Sequence, residues 1–73
     1  MTTPEQIYRA TIAGCPRSQE WKLGAMAGLK KGQEPNVAQR SPFPSGTAQD
    51  DAWAAGLQYG RQEWTWNAKG ATA

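Results

Sequence analysis

The pattern Trp-x-x-Gly-x-x-x-Gly occurs twice in this 73-residue chain, at Trp21, Gly24, Gly28 and again at Trp53, Gly56, Gly60. The second copy lies 32 positions after the first, and Ser18 and Asp50 precede the two tryptophans by the same spacing. On a helical wheel of about 100° per residue, Gly24, Ala25 and Gly28 fall within roughly 60° of Trp21. Gly56, Leu57, Gly60 and Trp64 gather in the same way around Trp53. An interior glycine costs a helix about 0.8–1 kcal/mol relative to alanine, so four of them cost about 3–4 kcal/mol. That is a large share of the net stability of a domain this small. Close helix approach offsets such a cost, because glycine lets two backbones come nearer than the usual ~8–10 Å. The two stripes are therefore expected to face each other. The sequence suggests an antiparallel pair, with Trp21 over Gly56 and Gly60 and Trp53 over Gly24 and Gly28. Pairing within one chain is expected, and a two-fold homodimer using the same faces is the alternative.

The rest of the chain reads as helix and connector, so the fold class is all-α: one small helical domain over residues 1–73. A short N-terminal helix is expected over about 4–13. Thr3 and Gln6 form a capping box there, Pro4 sits in the first turn, and Ile7, Tyr8, Thr11 and Ile12 share one face. Gly14 and Pro16 stop it. The first glycine helix spans about 19–31, with Ser18 as cap, Lys30 and Lys31 at its negative end and Gly32 as terminator. A connector with three prolines, Pro35, Pro42 and Pro44, follows. The second glycine helix spans about 48–64, capped by Thr47 or Asp50, and a frayed tail is expected over 67–73. A second stripe on that helix, Ala52, Ala55 and Tyr59, offers a seat for the N-terminal helix.

A core this small usually needs help from a disulfide, a metal or a partner. Cys15 is the only cysteine and histidine is absent. Neither an internal disulfide nor a common zinc constellation is therefore expected, and no metal or cofactor. A lone cysteine, no leader and no long apolar run suggest a cytoplasmic protein without a membrane segment. Net charge is +2, but from Arg9 to Arg40 six basic side chains (Arg9, Arg17, Lys22, Lys30, Lys31, Arg40) face only Glu20 and Glu34. That stretch carries +4 and the remainder −2, which makes the front half a basic surface.

Three motifs together resemble the ribosome modulation factor family, in the broad sense that includes small plasmid- and phage-borne CrpP-like relatives. "GAMAG" (Gly24 to Gly28) stands as the family's first helix element, "SPF" (Ser41 to Phe43) as its Pro-Tyr step, and "AWAAGLQYG" (Ala52 to Gly60) as its second helix element. The resemblance covers about Trp21 to Arg61. It implies a two-helix fold and a non-catalytic protein that binds the ribosome or ribosomal RNA and promotes ribosome inactivation. It places contacts on Lys22, Lys30 and Lys31 and at Pro42 and Phe43. Arg17 and Arg40 extend that basic surface, and Phe43 offers a ring to an unpaired base.

Antibiotic phosphorylation, ascribed to CrpP-like relatives, would need a phosphate cradle. "LKKGQ" supplies a lysine and a glycine without one. Asp50 and Asp51 are adjacent, but they stand where a helix start favours negative charge. Cys15 has no histidine to activate it. The expectation is thus a binding protein and not an enzyme. The alternative is a phage- or mobile-element-type module that inhibits a host protein through its aromatic faces.

Overall fold

The computed structural model describes residues 3–70, and the side chains of residues 3–67. It contains α1 (Pro4–Ile7), which runs directly into a π-helical segment (Tyr8–Ile12), then α2 (Gln19–Gln33) and α3 (Ala48–Gly70). No strand occurs among the described residues, and the fold is all-α.

α1 begins with the capping box expected from Thr3 and Gln6. The Gln6 amide donates to Thr3 Oγ1 (3.2 Å) and the Thr3 amide donates to Gln6 Oε1 (3.0 Å). The widening into a π-helix has a local cause. Thr11 Oγ1 donates to the Ile7 carbonyl (2.8 Å), and the Ala13 amide passes to the Tyr8 carbonyl, five residues back (2.8 Å). Side chains that bond backward to the backbone loosen a regular helix in this way. In an ideal α-helix, positions five apart diverge by about 140°. The wider turn instead brings Ile7 and Ile12 into one core, where they are 2% and 0% exposed.

α2 starts at Ser18, whose hydroxyl accepts from the Trp21 amide (3.2 Å). α3 starts at Thr47, not Asp50: Thr47 Oγ1 accepts from the Asp50 amide (3.1 Å), and Asp50 and Asp51 occupy the first turn. Two expected ends are corrected. α2 continues through Gly32 to Gln33, and α3 continues through Gly70, so residues 67–70 are helical where fraying was expected. The end of that tail, 71–73, lies outside the described residues.

The two glycine helices pack on each other within the chain. A Cβ added to Gly24 would collide with the Trp53 carbonyl, one on Gly28 with the Leu57 carbonyl and the Gly60 Cα, and one on Gly56 with the Trp21 carbonyl. One on Gly60 would collide with the Ala25 carbonyl, and every one of these approaches is under 3.0 Å. Only glycine permits backbones to lie this close. The direction of the pair differs from expectation. The contacts rise together along both helices, from Gly24 with Trp53 through Gly28 with Gly60 to Gly32 with Trp64. α2 and α3 are therefore parallel, and each level pairs residues about 32 apart, the offset of the repeat itself. The pair is a local two-fold written within one chain. Gly24 and Gly56 meet the backbone carbonyls of Trp53 and Trp21, and Gly28 and Gly60 those of Leu57 and Ala25, where the wheel suggested tryptophan rings.

A parallel pair requires the chain to return to its starting end. α2 is about 22 Å long at 1.5 Å per residue. The connector from Glu34 to Thr47, fully extended, spans roughly 46 Å, so it returns with slack. α1 covers one side of the pair. Ile7, Ile12, Trp21, Ala25 and Leu29 form the core there, with Tyr8, Met26, Ala52, Tyr59 and Trp64 packed against it. Ala52 and Tyr59 thus serve the seat expected for α1, while Ala55 is exposed and does not.

Candidate nucleic-acid interface

The parallel register sorts charge along the pair. Glu20, Asp50 and Asp51 stand at the starts of α2 and α3, which lie at the same end. There they offset two positive helix termini placed side by side. Lys30 and Lys31 stand in the last turn of α2. Arg61 joins them, because its amide lies at the level of Gly28. Glu34, the C-cap of α2, and Glu63 on α3 stand at this end too, so the far end is the more positive of the two. Arg61 was not among the residues expected at the interface. The offset of 32 offered the signal, since Arg61 stands where the first copy has the fully buried Leu29.

The six nucleic-acid candidates divide by what they touch. Lys22 is half-buried, and its Nζ donates to the Ala13 carbonyl (3.0 Å). This clips the turn after the π-helix onto α2. Lys31 is also half-buried, and its Nζ donates to the carbonyls of Pro35 (2.8 Å) and Val37 (3.4 Å), which folds the connector back on the helix end. Arg17 lies over the Trp21 ring, with Cζ 4.6 Å from the centroid. Such a cation–π contact is worth roughly 0.5–1 kcal/mol at an exposed site. Lys30 and Arg40 are exposed. Phe43 is half-buried, and its amide donates to Ser41 Oγ (3.1 Å). The stripe read from the sequence is thus partly structural.

The helix-interface residues are brought together as a set. Trp21 and Trp53 are 6% and 7% exposed, Gly24, Gly28, Gly56 and Gly60 are buried, and Trp64 is half-buried. Gly32 belongs with them, although the sequence suggested a helix stop. A Cβ there would meet the Trp64 side chain at 2.5–2.7 Å. Its signal was present in the even spacing of Gly24, Gly28 and Gly32.

Tyr59 and Trp21 meet with ring centroids 4.9 Å apart and planes tilted by 47°. The Tyr59 hydroxyl donates to Glu63 Oε1 (3.1 Å). Burial, then this hydrogen bond to Glu63 and the Glu63 charge, with a contribution from Cys15, raise the Tyr59 pKa above its usual 10.0, against a lowering by Arg17. Cys15 is half-buried and its thiol donates to the Thr11 carbonyl (3.1 Å), a packing role. Among the described residues no buried side chain is polar or charged, no group of three His, Cys, Asp or Glu gathers as a metal site, and no helix is long and apolar enough to cross a membrane. The chain matches no known protein family, no curated protein and no solved structure.

Proposed function

We propose that this protein is a non-catalytic RNA-binding protein that docks on the ribosome and holds it out of translation, as the ribosome modulation factor resemblance suggests. One observation carries the reading. The parallel pair collects Lys30, Lys31 and Arg61 at one end, with Glu34 and Glu63 among them, and places Glu20, Asp50 and Asp51 at the other, so the first end is the more positive. A chain of net charge only +2 thereby presents a local basic surface. Such a surface favours phosphate, and its binding is driven by counterion release. The rigid glycine contact supports the same reading, because it holds the cations on a fixed frame.

The test is co-sedimentation of the full chain with ribosomes across a salt series. Lys30 and Arg61 are the informative positions, because both are exposed, whereas reversing Lys22 would also break its clip to Ala13. Lys30→Glu with Arg61→Glu should leave the melting curve close to wild type. It should flatten the slope of log affinity against log salt by roughly one to two units. If the wild-type chain does not sediment with ribosomes at low salt, the reading fails and an inhibitory protein-binding module takes its place.

A further inference from the structure

α3 outruns its partner. Trp64 lies level with Gly32 in the last turn of α2, and α3 carries on to Gly70. Trp66 stands on this overhang, 74% exposed, the most exposed large apolar side chain among the described residues. Its surroundings are not those of a protein-docking patch. Trp66 lines a shallow, open recess along the second half of α3 together with Gln58, Tyr59, Arg61, Gln62 and Thr65. The other exposed large apolar residues, Leu23 and Val37, sit on α2 and the connector. Protein hot spots centre on well-packed apolar clusters whose rim excludes water. An indole and a half-buried tyrosine among amides, a hydroxyl, a guanidinium and a carboxylate make no such cluster, and the recess lacks that rim. It has what an unpaired base needs: a flat face for stacking, amides for base edges and a cation for the adjoining phosphate. Glu63 also lines the recess, with its carboxylate engaged by the Tyr59 hydroxyl.

We propose that Trp66 stacks on an unpaired RNA base, with Arg61 on a neighbouring phosphate, so that the more positive end selects single-stranded RNA over duplex. The inference rests on the RNA-binding reading above and specifies the form of RNA bound. Phe43, the ring suggested for this role by the sequence, is half-buried, whereas Trp66 is open.

The experiment titrates the full chain with an unstructured oligonucleotide of about eight nucleotides, and with a perfectly paired hairpin. Affinity and tryptophan emission are both followed. The wild type should prefer the single strand and show quenched emission. Trp66→Ala, at an exposed position, should melt like wild type and bind the single strand about 5- to 100-fold more weakly. Trp66→Phe, which keeps an aromatic face, should retain most of the affinity. Arg61→Gln should reduce the salt slope by a little under one unit. If the wild type binds RNA but Trp66→Ala binds the single strand equally well, the stacking inference is overturned and the basic surface stands. An equal loss on the duplex overturns it too, as does loss of capture of a protein partner from nuclease-treated lysate. If the wild type binds no RNA of either form, the functional reading falls as well.

Discussion

α2 and α3 carry the same glycine stripe and meet across it, yet the chain uses them differently. α2 is buried on two sides. Its glycines face α3, and Trp21, Ala25 and Leu29 face α1. α3 buries Trp53, Gly56 and Gly60 against α2, leaves Arg61 and Gln62 exposed and carries an open tryptophan, Trp66, near its end. The difference arises at positions 32 apart that do not match: Leu29 against Arg61, and Gly32 against Trp64. One copy of the motif is core on two sides, and the other is a core stripe with exposed residues behind it. A shared glycine seam fixes only the line of contact, and the residues flanking it decide which helix is covered.

The largest expected effect tests the seam itself. Gly28→Leu and Gly60→Leu should each cost about 3 kcal/mol or more, or abolish folding, because each forces apart backbones that now touch. The two losses should be alike, since these glycines face one another. Urea or thermal melts decide it, with Gly14→Ala as control. Gly14 has open space around it and an ordinary φ, so that change should stay within about 0.5 kcal/mol. A tolerated leucine at either seam position would break the two-fold description.

The next effect tests the cover on α2. Ile12 is fully buried, so Ile12→Ala should cost about 2–4 kcal/mol. In the same melts, a loss under about 1 kcal/mol would show that α1 only rests on the pair. Gly32→Ala should cost less, near 1 kcal/mol. Its obstacle is the Trp64 side chain and not a carbonyl: Cγ and Cδ1 can rotate, Cβ yields only with a small shift of α3, and alanine recovers about 0.8–1 kcal/mol of helix propensity. A loss as large as that at Gly28 would mean Trp64 is locked.

The smallest effect lies in pH. Tyr59 has its pKa raised, chiefly by burial and then by Glu63, so the native state holds this proton more tightly than the unfolded chain. The resulting stabilisation is complete below pH 10.0 and is lost as pH climbs through the raised value. Stability curves of wild type and Tyr59→Phe should therefore converge at high pH. Parallel curves would remove Tyr59 from the account.

For the candidate site, the sequence placed residues along the helices but said little of their environment. Lys30 and Arg40 are exposed, as a basic surface requires. Lys22 and Lys31 read as identical cations, but each reaches a backbone carbonyl of a neighbouring turn, Lys22 nine residues back and Lys31 four and six residues on, where the chain bends back at the helix end. Arg17 likewise finds Trp21 one helical turn away, and settles on its ring. Arg61 and Trp66 drew no attention because their meaning depends on where α2 stops.

By itself the sequence determined what is local. Thr3, Ser18 and Thr47 sit where their hydroxyls cap helix starts, and the glycine spacing puts one smooth stripe on each helix. The direction of the pair was not determined locally, because glycines spaced by four give the same line read either way. Bulk beyond the glycines separates the two arrangements. Run antiparallel, with Gly24 opposite Gly60, the stripes would bring Trp64 to the level of Trp21 and leave Gly32 facing the small Ala52. Run parallel, Gly32 receives Trp64, and Trp21 is free to pack under α1 beside Tyr59. That match of volumes exists only between segments about thirty residues apart. The tertiary structure alone therefore decided the register, and with it which end of the molecule is more positive.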